Sequence, residues 1–203
     1  PTIHHEYLME AALLAQEAGL ANVVVTNGHL TRKPARELLQ RMDAANVDLK
    51  SFDPAFYEQE LGGKLDAVKE FIAIASEQTA LEVTTLLIPG KNDSDEEVRA
   101  MSAFLADLDP RIPYHISGYY PTYHYQIPPT SVGSVERACE LAREHLHHVY
   151  PGNVPGDATT RCSSCGASLI ERHGYGVRLV GLDDSRRKCS SCGHEAPITW
   201  FDA

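Results

Sequence analysis

Between residues 1 and 118 the hydrophobic pattern of this sequence keeps switching: helically spaced stretches alternate strictly with short β-branched runs. Ile3, Tyr7, Leu8, Ala11, Leu14, Ala15 and Ala18 recur at helical spacing, with Thr2 to cap the start and Gly19 to end it. "NVVVT" follows and reads as a buried parallel strand. Pro34 opens a second helix carrying Leu38, Leu39, Met42 and Ala45, before the strand "NVDLK". A third helix from Leu65 to Ser76 leads into "LEVTTLLI", which stops at Pro89 and Gly90. Ser94 and Glu97 have the spacing of a capping box and start a fourth helix, followed by "PYHIS" and a fifth helix from Val132. Strict alternation of this kind specifies βα units around a parallel sheet. Periodicity alone leaves a barrel and an open sheet both standing.

After residue 150 the character changes. "VYPGNVPGDATT" is rich in Pro and Gly and reads as a linker. Beyond it, "ASLIER", "YGVRLV" and "PITWF" read as small antiparallel strands. The expected organisation is an α/β unit over 1–150, a linker over 151–159 and a small β unit over 160–203. In that last unit CSSCG occurs twice, giving Cys162 and Cys165, then Cys189 and Cys192. A glycine after each pair permits the tight turn that points backbone N–H groups at thiolate sulfur. Four thiolates fill a tetrahedral shell and leave no open position, which is the pattern of a structural metal site. So short a segment has too little core to fold without such a staple. Zinc is favoured; a rubredoxin-like iron site has similar knuckles, and two disulfides are the competing reading. The fifth cysteine, Cys139, falls on the apolar face of its helix and reads as core.

A formal net charge of −10 lacks the basic face that nucleic acid or an anionic membrane needs, so neither is expected as a partner. No apolar run approaches the ~18 residues of a membrane span, no signal peptide is visible, and paired cysteines of this kind suit a reducing cytoplasm. There is no G-x-S-x-G nucleophile elbow.

In parallel α/β folds ligands sit at the carboxyl ends of the strands. Thr26, Asn27 and Gly28 stand there after the first strand, Asp48 and Lys50 on the second, Pro89 and Gly90 after the third, and His115 within the fourth. Asp48 and Lys50 are two apart and share one side of their strand, as a structural salt bridge or as ligand contacts. The set offers an amide, an anion, a cation, an imidazole and a close-approach glycine. That combination suits a zwitterionic ligand with hydroxyls. A tyrosine-rich loop, "GYYPTYHYQIPP", follows the His115 strand, either to cover a substrate or to close the barrel.

The ordered stretches "VVVTNG", "NVDLKSF", "LIPGKNDS", "IPYHIS" and "PPTSVGSVERACELA…VYPGNVPG" resemble the radical S-adenosylmethionine (SAM) enzymes. They most resemble the pyruvate formate-lyase activating enzyme-like branch, the AmmeMemoRadiSam group. The resemblance implies a partial TIM-like (β/α) barrel of parallel strands with a small C-terminal β zinc ribbon. It implies SAM and a [4Fe–4S] cluster as cofactors and a 5′-deoxyadenosyl radical as product. A protein or small-molecule substrate and an electron donor such as flavodoxin or ferredoxin are the implied partners. By resemblance Asn27, Asp48, Lys50, Pro89, Gly90 and His115 contact SAM, and no catalytic residue is assigned. Val25 stands where the family often has an acidic residue. The CxxxCxxC motif that holds the cluster is absent from the sequence, and Pro1 matches the proline of a family N-E-P motif. The expectation is therefore a C-terminal portion of a radical SAM enzyme, inactive in isolation. A zinc-ribbon interaction module on an α/β scaffold is the alternative, and an α/β enzyme unrelated to SAM a third reading.

Overall fold

The computed structural model describes residues 2–174, 176–196 and 198. The expected pairing of Pro1 and most of the run at 197–201 lie outside them. After a single 3-10 turn at Thr2–His4 come α1 (His5–Glu17), β1 (Val23–Thr26), α2 (Arg32–Leu39), β2 (Ala44–Asp48), α3 (Pro54–Gln59), α4 (Leu65–Gln78), β3 (Ala80–Leu87), α5 (Asp95–Leu108), β4 (Tyr114–Gly118), α6 (Val132–Ala142) and β5 (Val149–Gly152). The strands form one parallel sheet in the order β1-β2-β3-β4-β5. A doubly wound sheet reverses its order at a switch point. Here every strand lies beside its predecessor, which is the progression of a barrel wall.

Right-handed crossovers in a sequential sheet put the helices on one face. Val24, Ala45, Val47, Leu49, Val83, Leu87 and Ile116 are buried on that face against α2, α4, α5 and α6, with Phe71, Ile72, Met101 and Leu105 among the fully buried partners. On the other face stand Asn46, Asp48, Lys50, Glu82, Thr84, His115 and Tyr150, none of them fully buried.

Several local signals act as the sequence suggests. Gly19 adopts φ +75 after α1, and its N–H bonds back to Gln16. The Thr2 cap does not form: Thr2 lies in the 3-10 turn, and the residue preceding α1 is His4, without a side-chain cap bond. The second helix begins at Arg32, so Pro34 sits inside the first turn, where its missing N–H costs nothing. α3 has no periodic pattern to announce it. It forms because Asp53 accepts the Ala55 N–H at 2.9 Å and Pro54 occupies the first helical position. At α5, Ser94 caps the Glu97 N–H at 3.2 Å, but the Glu97 carboxylate does not return to Ser94. It takes the Ser51 hydroxyl and the Phe52 N–H instead, tying the loop after β2 to the helix after β3.

The parallel sheet also runs further than periodicity suggests. Val149–Gly152 pairs with β4 as a fifth strand, so the first two residues of the 151–159 linker are strand. Pro151 disguises it, and proline is tolerated because β5 is an edge. Beyond it, β6 (Thr160–Arg161), β7 (Ser168–His173) and β8 (Gly176–Leu179) make a three-stranded antiparallel sheet around a small core of Leu169, Ile170, Cys162, Cys189 and Ala196.

Two outcomes follow for stability. Gly28 has φ +66, and an added Cβ meets Val47 Cγ1 at 2.9 Å; Gly62 has φ +63 with nothing within 4 Å. Gly62→Ala loses about 1–2 kcal/mol for the left-handed backbone, and Gly28→Ala loses about 1–3 kcal/mol more from overpacking, read as a larger drop in urea midpoint. His148 is 3% exposed, and burial, aided by His147, pushes its imidazole down to about 4. The unfolded imidazole protonates near 6.5, so the unfolded state binds more protons between those values and stability falls as pH drops through that window. His148→Gln flattens the slope of the urea midpoint against pH there.

Candidate functional site

The register of the sheet aligns the polar face into a row. Asp48 pairs with Thr84, Thr84 with His115 and His115 with Tyr150. One step back, Thr26 pairs with Val47, which puts Asn27 beside Asp48 at the end of β1. Strands lie about 4.8 Å apart, so Asp48 and His115 stand roughly 10 Å apart with Thr84 between them.

The residues singled out from the sequence occupy this face and its carboxyl rim, in two groups. Asp48 and Lys50 meet directly, Nζ to Oδ2 at 2.9 Å, with 28% and 33% of their side chains exposed. Asn27 is exposed, its Oδ1 accepting the His29 N–H at 3.2 Å. Pro89 and Gly90 form the turn after β3, where Gly90 has φ +70, donates its N–H to Asp93 at 2.7 Å and has nothing within 4 Å of an added Cβ. His115 stands apart. It lies near the start of β4 rather than at its carboxyl end, bonds Glu82 at 2.9 Å and has its ring 5.3 Å from that of Tyr150.

Asn92 positions Lys50, and sequence reasoning passed over it. It is 1% exposed. Its carboxamide donates to the carbonyls of Lys50 (2.6 Å) and Leu86 (2.9 Å) and accepts from the Ile88 N–H (2.7 Å). It thus ties the carboxyl ends of β2 and β3. From below, the Lys50 N–H donates to the Tyr57 hydroxyl at 3.0 Å, and burial pushes that phenol up to about 12, leaving it neutral. An Asn inside a turn sequence gives no hint that it is buried; only its neighbours in space do.

The tyrosine-rich loop is fastened to the same rim. Tyr125 donates its hydroxyl to Glu60 at 2.7 Å, Lys91 bonds the other Glu60 oxygen at 2.5 Å and lies 5.9 Å from the Tyr125 ring. Lys91 holds the Glu60 carboxyl below its usual range. The base of the loop is set by Thr130, which donates to the Leu87 carbonyl and accepts the Tyr119 N–H.

The four paired cysteines form a separate centre. Their sulfurs all lie within 4.8 Å of one another; Cys162 to Cys192 and Cys165 to Cys189 are 3.7 Å each. A tetrahedron with metal–sulfur spokes of about 2.3 Å has edges of about 3.8 Å, whereas a disulfide needs about 2.05 Å. The two knuckles repeat one geometry: Gly166 (φ +75) bonds back to the Cys162 carbonyl and Gly193 (φ +73) to that of Cys189. Burial works against ionisation of Cys189, but the N–H groups of Cys192 and Ser191, together with the thiols of Cys165 and Cys192, outweigh it and bring the thiol down to about 7. At Cys165 the Ala167 N–H favours the thiolate but is outweighed by the thiol of Cys192, then by burial and the other two thiols, which push it up to about 12. Four adjacent thiolates require a cation, and this donor set fits a tetrahedral one. Cys139 is buried in the helix-side core, where desolvation raises its thiol to about 11.

No family model matches the chain. An uncharacterised protein of Methanocaldococcus jannaschii is 34% identical over 204 residues, which cover 98% of this chain and 60% of that protein. The 4-hydroxyphenylacetate decarboxylase activating enzyme of Clostridium scatologenes is 26% identical over 108 residues, 52% of this chain and 35% of that enzyme. The chain thus spans less than two thirds of either relative. Among solved structures, a domain of pyruvate-formate lyase-activating enzyme from Bacteroides vulgatus superimposes with a TM-score of 0.64 at 22% identity, over 75% of this chain and 93% of that one. The chain has the pyruvate formate-lyase-activating enzyme fold. The resemblance read from its ordered motifs, to the pyruvate formate-lyase activating enzyme-like radical SAM branch, is borne out. Streptococcus suis SuiB bound to S-adenosylmethionine shares the fold with a TM-score of 0.55 at 14% identity, over 70% of this chain and 34% of SuiB. No helix among the described residues is long and apolar enough to cross a membrane.

The ribbon has only a small core of its own, so its folding is expected to depend on a metal held by the four cysteines. Metal analysis of the purified chain is expected to find one bound ion, and Cys189→Ser is expected to lose it. Chelation makes residues 160–196 exchange their amides freely, while protection in β1 to β5 persists.

Proposed function

We propose that the chain supplies the SAM-binding wall of a radical SAM enzyme and that its ribbon carries a structural zinc. What supports the reading is the Asp48–Lys50 pair standing at the carboxyl end of a sheet whose fold is shared with a SAM-bound relative. A carboxylate and an ammonium side by side complement the ammonium and carboxylate of the methionine part. The free space before Gly90 admits a flat ring against backbone. Asn27 offers donor and acceptor to ribose hydroxyls at the neighbouring strand end. His115, bonded to Glu82 and further down the sheet, reaches the ribose only by leaving Glu82.

The residues do not fit a [4Fe–4S] cluster. Such a cluster needs three thiolates and an iron left open for SAM, and the four clustered cysteines close a shell upon themselves. Cys139 is buried elsewhere. In this reading the cluster ligands come from outside the 203 residues, with a one-electron donor such as flavodoxin or ferredoxin as partner in a reducing cytoplasm. SAM, when bound beside such a cluster, supplies the 5′-deoxyadenosyl radical. The residues here bind and orient it: Asp48 and Lys50 hold the amino-acid end, Asn92 fixes the strand ends under them, and the loop fastened by Glu60 screens the rim from water.

Calorimetric titration of the protein carrying its cluster-binding segment tests the reading. Asp48→Asn and Lys50→Gln are each expected to weaken SAM binding about tenfold, the scale of one lost charge-assisted contact. The 203-residue chain, after anaerobic iron–sulfur reconstitution, is expected to yield no 5′-deoxyadenosine. Undiminished SAM affinity in both variants refutes the site, and 5′-deoxyadenosine from the chain alone refutes the assignment of the cluster elsewhere.

A further inference from the structure

At the amino-terminal ends of the strands, opposite the rim assigned to SAM, a cavity of about 810 Å³ opens between the polar face of the sheet and the ribbon. Glu82, His115 and Tyr150 form its sheet wall, and Thr160 and Arg172 its ribbon wall. Its volume is that of small-molecule sites. We propose that it binds a small zwitterion of the amino-acid type, with the carboxylate on Arg172 and the ammonium on Glu82.

The two charges are separated and matched. Arg172 donates Nη1 to the Ala158 carbonyl (2.9 Å) and the Thr160 hydroxyl (2.8 Å), and its guanidinium lies 5.4 Å from the Tyr150 ring. These partners are neutral: among the described residues no carboxylate lies within ion-pair reach of it, and the rest of its planar fork stays available for a carboxylate. Tyr150 is held against the ribbon by a 2.8 Å bond between its hydroxyl and that of Thr160, so the cation is fixed in place before any ligand arrives. Across the cavity, Glu82 bonds His115, keeps half its side chain exposed and is held ionised by that bond. Glu82 and Arg172 attract one another without meeting as an ion pair. Asp109 and Arg111, also on the lining, are committed to each other at 2.7 Å.

His148 and Thr79 also line the cavity, but His148 Nε2 and Thr79 Oγ1 are themselves buried away from its surface, so the charged pair carries the recognition. The proposal stands apart from the SAM reading, since it uses neither Asp48 nor Lys50 and lies at the other end of the strands.

The test is calorimetric titration of the metal-loaded chain with each of the twenty L-amino acids. At least one is expected to bind. For the best binder, its N-acetyl and carboxamide derivatives each bind at least tenfold more weakly. Arg172→Met and Glu82→Gln each weaken the parent compound at least tenfold, and Asp48→Asn leaves it unchanged. Metal content and the urea midpoint confirm that Arg172→Met keeps its ribbon; Glu82→Gln, on the sheet wall, tests the site independently of ribbon folding. Failure of every amino acid to bind, equal binding of the charge-blocked derivatives, or unchanged affinity in both cavity variants overturns the proposal. Loss of binding in Asp48→Asn moves the ligand to the other end of the strands and overturns it as well.

Discussion

Right-handed crossovers between neighbouring parallel strands put the helices on one side of this sheet, and the rest of the molecule answers to that constraint. The helix side is a conventional apolar core. The other side is left to polar residues, because no helix among the described residues covers it and each strand presents alternate side chains there. Parallel register then turns a scatter of polar residues on separate strands into a row, Asp48, Thr84, His115 and Tyr150. The chemistry of the chain is the chemistry of this face: a charge pair toward the carboxyl end, and a Glu82–His115 pair toward the amino end.

Each end of that face is fixed by a buried polar contact rather than by apolar packing. At the carboxyl end Asn92 satisfies two carbonyls and an N–H from two strands, and Glu97 holds the loop after β2. A buried carboxamide with all its groups satisfied specifies one geometry, since any shift strands a polar atom. At the other end the contact is the ribbon's: Tyr150 and Arg172 meet Thr160 and close the floor. The four cysteines act through that contact. In the proposed reading a metal held by them supplies the folding energy that a unit with so few buried residues lacks, and the folded unit forms a wall of the cavity.

Much of the architecture was legible. The switching of hydrophobic period located β1 to β4 and, among the described residues, every α-helix but α3, and the doubled CSSCG located the cysteine centre, because these signals are local and repeat along the chain. What was missed was missed for identifiable reasons. β5 contains a proline that only an edge position excuses. α3 is too short for periodicity and is announced only by Asp53 and Pro54. Glu97 reads as half of a capping box, yet its carboxylate serves another loop.

By itself the sequence determined that helices and strands alternate, that the strands lie parallel, and that four sulfurs converge, since period, chain length and CxxC spacing are properties of neighbours in the chain. Only the tertiary structure decided that His115 faces Glu82 instead of the carboxyl rim, that Asn92 is buried beneath Lys50, and that Arg172 of the ribbon looks across a cavity at the sheet. Those relations depend on strand register and on which face each pleat presents, and both are set by packing between segments far apart in sequence.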